Sequence, residues 1–298
     1  SVFESMTKSV AINTEGSTYD SHPSIVTTDD GATWTAWHGY RGRQDRVLLQ
    51  RVEADGRLGP IHTVSQQRSI HGPPAVVLMD DGSVWVVWSS KLDGRWQVLA
   101  RRRHKGLWGQ TVTISDARHD AIFPSVVRVS PTGMVAAWSE QIDGRFRIRS
   151  RLLDGGTWRT PVAISPTGSD AFRTALAVDG TGEVWSFWDS YDGTRYNIKG
   201  RRTLPELGVV EQVSPLGQHC LTPTALATRQ GLYVAWLQKE DRGRGDPGSL
   251  ASSWERCSRR RRYRRGAGPS ARPQPGSGIR RHRDFIEEGI EVALEDIL

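Results

Sequence analysis

HPSIVTTDDGATWTAW, residues 22–37, recurs four more times along the chain in altered form. It reappears as PPAVVLMDDGSVWVVW (73–88), FPSVVRVSPTGMVAAW (123–138), RTALAVDGTGEVWSFW (173–188) and TPTALATRQGLYVAW (222–236). The closing tryptophans, Trp37, Trp88, Trp138, Trp188 and Trp236, stand 51, 50, 50 and 48 residues apart. Gly31, Gly82, Gly133, Gly182 and Gly231 keep the same interval. So do Pro23, Pro74, Pro124 and Pro223, with Thr174 in the remaining place. Agreement at three columns marks an internal repeat.

Each unit reads as four short strands. The first follows the column proline (SIVTT, AVVLM, SVVRV, ALAV), and a glycine turn leads to the second (ATWTAW, SVWVVW). Asp93-Gly94, Asp143-Gly144 and Asp192-Gly193 then predict tight hairpins, because Asp-Gly suits the positive φ angles of a type I′ turn. The third strand is WQVLARR, FRIRSRL or YNIKGRR, and the fourth is TVTIS, PVAIS or EQVS. Alternation of apolar and polar residues with β-branched enrichment favours strands over helices. Four-stranded units at this period predict an all-β fold, a β-propeller of about five blades or a truncated six-bladed ring. The repeats run over about 20–67, 68–117, 118–166, 167–216 and 217–241. KSVAINTEGSTYDSHPS near the start matches TPVAISPTGSDAFRTA, so residues 8–14 are expected to be the outer strand of the closing blade, beside Trp236. Pairing the two ends in this way would cover an otherwise open sheet edge.

After Trp236-Leu237 the pattern dissolves into RGRGDPGSLASSWERCSRRRRYRRGAGPSARPQPGSG. Residues 242–298 therefore read as an irregular, Arg-rich tail outside the propeller of residues 1–241. Three accounts stay open: a basic tail for nucleic acid, a disordered linker, or a shifted reading frame. Codons permitted for Asp246–Ala251 allow another frame to read Ile-Gln-Val-Arg-Ser, close to the third-strand text. The final FIEEGIEVALEDIL carries a helical apolar stripe.

Net charge is +7, of which the tail holds +5 and residues 1–241 only +2. Nucleic acid is therefore not an expected partner of the globular part. No run of apolar residues is long enough to span a membrane. No signal peptide opens the chain, and the compartment stays unassigned, secreted or periplasmic included. The chain starts at Ser1 rather than Met, as a fragment, a trimmed chain or a mature form would. Cys220 and Cys257 give neither zinc spacing nor a disulfide framework, and no pattern calls for a cofactor.

RSRLLDGGTWRTPVAIS, between a third and a fourth strand, resembles the Asp-box (BNR) repeat of sialidase-like propellers. Asp154, Gly156, Thr157 and Trp158 match its core. RRHKGLWGQ keeps only Gly106 and Trp108, and RRTLPELGV keeps neither. The resemblance covers about residues 8–241 and implies that Asp154 is a turn residue on the face opposite the functional centre. Phe172-Arg173-Thr174 also resembles the Phe/Tyr-Arg-Ile-Pro segment of sialidases, whose Arg clamps a substrate carboxylate, although the Ile and Pro are absent. The remaining Arg, Tyr-Glu and Asp residues of a sialidase find no counterpart. Pairing of Arg173 with a neighbouring Asp is the expected alternative.

In this strand order the links into each first strand share a face with the second-to-third hairpins. That face holds Tyr19, Asp20, His22, His38, Tyr40, Arg43, His71, Ser89, His119, Phe123, Arg173, Asp189 and Tyr191. Its polar and aromatic character suits a glycan or protein ligand. His22, His71, Phe123, Arg173 and Tyr191 are the candidate ligand-binding residues, and no catalytic residue is assigned. His22, His71, His119 and His219 differ in register relative to the column proline. A metal ring is not expected from them, and they read as solvated loop residues. The column tryptophans are expected to pack between blades. The leading expectation is a non-catalytic binding module, with a sialidase-type glycoside hydrolase as the alternative.

Overall fold

A computed structural model describes residues 19–228, 231–239 and 254–261. Five antiparallel sheets follow one another along the chain, and the described residues contain no helix. Blade one comprises β1 (Tyr19–Thr27), β2 (Thr33–Arg41), β3 (Gln44–Val52) and β4 (His62–Thr63). Blade two comprises β5 (Ala75–Leu78), β6 (Val84–Leu92) and β7 (Arg95–His104), with β8 (Leu107–Trp108) and β9 (Val112–Thr113) both on β7. Blade three repeats that plan with β10 (Ala121–Arg128), β11 (Met134–Ile142), β12 (Arg145–Asp154), β13 (Thr157–Trp158) and β14 (Val162–Ala163). Blade four comprises β15 (Asp170–Val178), β16 (Val184–Tyr191), β17 (Tyr196–Leu204) and β18 (Glu211–Gln212). Blade five comprises β19 (His219–Thr228), β20 (Gly231–Lys239) and β21 (Trp254–Arg261). The architecture is the β-propeller that the repeat predicts.

The strand β21 corrects one expectation, since it lies inside the stretch read as an irregular tail. It pairs antiparallel with β20, placing Cys257 opposite Trp236 and Arg259 opposite Val234. That is third-strand register, for Arg101 and Arg151 stand opposite Val86 and Ala136 in the same way. The expected strand at 8–14 and the final helical stripe lie outside the described residues. A second correction concerns the hairpins. Asp93-Gly94 and Asp143-Gly144 form two-residue turns with both φ values positive. Asp192-Gly193 instead opens a four-residue loop between Tyr191 and Tyr196, in which Asp192 Oδ1 accepts the amides of Thr194 and Arg195.

The blades adhere through apolar seams. Trp88, Trp138 and Trp188 are fully buried, and each packs with residues of the preceding blade, as does Trp236. Their large area supplies much of the hydrophobic drive for blade association. Two polar devices recur beside them. In the fourth-strand segments, Ser65, Ser115, Ser165 and Ser214 accept the amides of Val47, Val98, Ile148 and Ile198 at 2.9–3.1 Å. Each hydroxyl thereby completes a ladder that is only two residues long. Arg101, Arg151 and Arg201 reach across the seams and donate to the carbonyls of Val64, Ile114 and Ile164 at 2.8–3.1 Å. A guanidinium suits this role because its several donors also bond Gly109, Arg159 and Gly208 within the blade.

Candidate functional site

The first strands carry a repeated irregularity. Their pairing slips between Ser21 and Ser24, Ile122 and Ser125, Phe172 and Ala175, and Leu221 and Thr224. Each bulge contains one residue in the left-handed region: His22 (φ 52°), Phe123 (56°), Arg173 (43°) and Thr222 (53°). None is glycine, so each position costs about 1–2 kcal/mol of backbone strain. Such strain concentrates where a side chain must be aimed. Blade two lacks the feature, because Pro73 fills the position and proline cannot adopt positive φ.

A cleft of about 380 Å³ opens where blades one, two and three meet. Tyr19, Ser21 and His22 approach it from β1, His38 and Tyr40 from β2, and Asp45 from β3. Ile70, His71, Gly72 and Pro73 come from the link into β5, Ser89 and Trp96 from β6 and β7, and Ile122 and Phe123 from β10. Trp96, Ile122 and Phe146 form a buried cluster with Phe123 and Phe172 against it, so the cleft has a rigid apolar wall.

Its polar groups gather on the blade-one side. His22 Nδ1 lies 2.9 Å from Ser21 Oγ, which is 3.5 Å from His38 Nδ1. His38 Nε2 stands 3.7 Å from Asp45 Oδ2, too long for a hydrogen bond but close enough for attraction. His71 Nδ1 meets Ser90 Oγ at 3.0 Å, while its Nε2 is buried without a partner. Burial holds all three imidazoles below the usual histidine range. The charge of His38 adds to the effect at His22, and Asp45 opposes it at His38. His71, only 3% exposed, corrects the expectation of solvated loop histidines. Among the described residues no group of three or more His, Cys, Asp or Glu side chains is arranged to hold a metal ion.

Three of the five candidate residues, His22, His71 and Phe123, line this cleft; Arg173 and Tyr191 do not. Arg173 Nε and Nη2 both bond Asp189 Oδ2, at 2.8 and 2.6 Å. Asp189 is fully buried, and burial pushes its carboxyl up while Arg173 pulls it down. Tyr191 packs against Tyr196, ring centroids 4.8 Å apart, and burial pushes the Tyr196 hydroxyl up to about 12. Asp45, Trp96, Ile122 and Ile70 are cleft residues missed in the sequence. One signal was present. Asp45, Trp96, Phe146 and Tyr196 share a third-strand column, opposite Tyr40, Lys91, Gln141 and Tyr191. Asp45 is the non-aromatic exception among these four.

Asp154 pairs with Thr157 across Gly155 and Gly156, both at positive φ, and bonds Arg159 at 2.7 Å. It is a turn residue in the hairpin between β12 and β13. No known protein family matches the chain, and no curated protein does. Solved structures do resemble it. A protein of unknown function from Dyadobacter fermentans DSM 18053 matches with a TM-score of 0.58 and 11% identity, over 73% of this chain and 75% of that one. The Hadza microbial sialidase Hz136 matches at 0.54 and 14%, over 74% of this chain and 53% of that one. An ulvan lyase of polysaccharide lyase family PL25 matches at 0.53 and 11%, over 78% and 66%. The chain is thus an all-β propeller sharing its fold with a sialidase and a polysaccharide lyase, and it spans about half the length of the sialidase. At these identities the likeness concerns the fold alone.

Proposed function

We propose that the cleft between blades one, two and three binds a glycan and that the chain acts as a non-catalytic binding module. The observation that carries this reading is the cleft's amphipathic lining. Tyr19, Tyr40, Trp96 and Phe123 supply aromatic surface for the C–H face of a sugar ring, and His22, His38 and Asp45 supply polar groups in the same lining. Neutral imidazoles both donate and accept, which suits hydroxyl groups. Its volume is at the scale of a small-ligand site, whereas a stable protein partner would need roughly 1,200–2,000 Å² of buried surface.

A glycoside hydrolase of the common kind needs two carboxyl groups flanking the scissile bond. Among the described residues Asp45 is the one carboxylate that lines the cleft. The Arg173 guanidinium, the feature that most resembles a sialidase, is held by Asp189 outside it. Calorimetric titration with a panel of oligosaccharides, alongside fluorogenic glycosides including a sialoside, tests the reading. The expected result is binding without turnover. Tyr40→Ala and Phe123→Ala should each weaken it by roughly 1–2 kcal/mol, the usual cost of truncating an aromatic anchor. Product release by the wild-type protein would overturn the non-catalytic part, and binding indifferent to both substitutions would overturn the site.

A further inference from the structure

Next to the cleft, and sharing its Tyr40, Asp45 and Ile70 wall, lies an open depression of about 490 Å³. Arg43, Arg68 and Lys91 converge on it. Among the described residues none of the three forms an ion pair. Asp45 is the one carboxylate on the shared wall, and its Oδ2 lies 3.7 Å from His38 Nε2.

Two of the cations mark departures from the repeat. The hairpins of blades two and three use Asp-Gly at their two turn positions, whereas blade one uses Gly42-Arg43, with Arg43 at φ 62°. The second position of such a turn favours glycine, so the backbone bears strain to put a cation at the rim. Arg68 corresponds to Arg118 fifty residues on. Arg118 is neutralised by Asp116 at 2.6–3.1 Å, but Gln66 replaces that aspartate in blade two and bonds Thr111 instead. Lys91 occupies the column held by Tyr40, Gln141 and Tyr191 in blades one, three and four and by Lys239 in blade five, so it belongs to the repeat's own variation. Features needed to build a blade recur in every blade. The strained Arg43 turn and the Arg68 that lacks its aspartate depart from the repeat at one place and with one charge, and Lys91 adds its charge beside them.

We infer that Arg43, Arg68 and Lys91 form an anion subsite, and that the glycan held in the cleft carries a carboxylate or sulfate group that reaches it. The inference rests on the glycan reading of the cleft and adds the charge class of the ligand. Exposed cations of this kind act through a focused positive field and charge-assisted hydrogen bonds.

Two matched pairs of probes test it by calorimetry: trigalacturonate against its methyl ester, and a sulfated carrageenan tetrasaccharide against its desulfated form. The charged member of at least one pair should bind about tenfold more tightly at low ionic strength, the pair that responds identifying the anion. That advantage should shrink towards unity near 1 M salt, where the screening length falls to about 3 Å. Arg68→Ala and Arg43→Ala should each reduce it by about fivefold without altering affinity for the uncharged member. Their melting temperatures should match the wild type, since both side chains are exposed. Equal affinity for charged and uncharged members of both pairs overturns the subsite and leaves the glycan cleft standing. Binding of no probe, charged or uncharged, counts against both.

Discussion

At His71 burial and proton binding oppose each other. The imidazole is almost wholly enclosed, its Nδ1 is engaged by Ser90, and charging it would place a cation where little water reaches it. His22 and His38 are half-buried around Ser21 under the same pressure. All three have folded-state pKa values depressed below 6.5. The unfolded chain therefore binds more protons just below that pH, and stability must rise with pH there. The contribution is fully present above about pH 6.5 and is lost as pH falls through the depressed values, at up to about 1.4 kcal/mol per pH unit for each proton. Asp189 works in the opposite sense, because burial raises its carboxyl and acid relieves it. Urea midpoints measured from pH 7.5 to 5.0 should fall in the wild type, and His71→Gln should flatten the slope. An unchanged slope in that variant would show that His71 is readily charged. In the sequence His71 was recognisable as a residue of the loop-rich face but not as a buried one. It precedes Gly72-Pro73-Pro74, whose text says loop, and its burial comes with a tertiary bridge to Ser90 that the text does not show.

Within a blade, one column of facing side chains is filled differently from blade to blade. On the second and third strands, Ala36 stands opposite Leu49, Val87 opposite Ala100, Ala137 opposite Ser150 and Phe187 opposite Gly200. Gly200 is thus not a flexible joint: a Cβ there would meet the Phe187 ring at 2.5 Å. Gly200→Ala should cost about 1–3 kcal/mol by overpacking. Phe187→Val should restore much of that in the double variant, because blade two already pairs Val87 with Ala100. Denaturant midpoints of the four proteins in this cycle decide the matter, and strictly additive losses would refute the compensation. The strands themselves were legible from the spacing of Trp, Gly and Pro. The third strand of blade five was not. Trp254-x₃-Ser258-Arg259-Arg260 repeats the text of Trp96-x₃-Ala100-Arg101-Arg102. However, Arg256 stands where Val98 or Ile148 gives the other strands their alternation. A count of apolar residues sees a tail there, whereas backbone pairing sees a strand.

Across the whole molecule, the seams between successive blades leave a comparison to be made at the two ends of the series. Val76 and Leu176, 5% and 8% exposed, pack on the preceding blade, whereas Ile25 in the same column of blade one is 59% exposed. Val77 and Ala177 pack on the following blade, whereas Leu226 in that column of blade five is 63% exposed. The apolar pattern of the repeat therefore reaches the outer faces of the first and last described sheets, as a propeller's should. Repeat periodicity made the blades legible, while the cleft was only half so, because it depends on which blades break the repeat. The match of residues 8–14 to a fourth strand puts Ile12 in the column of Val64, Ile114 and Ile164, and Asn13 in the column of Ser65, Ser115 and Ser165. Those three apolar residues are at most 1% exposed. If the match expresses a fourth strand, Ile12→Asp puts an unpaired charge into a packed seam, and stability should fall by at least about 2 kcal/mol. Ile114→Asp in an established seam sets the scale for the loss. An effect of Ile12→Asp within about 0.5 kcal/mol, the range of an ordinary surface change, would show that residues 8–14 take no part in the propeller.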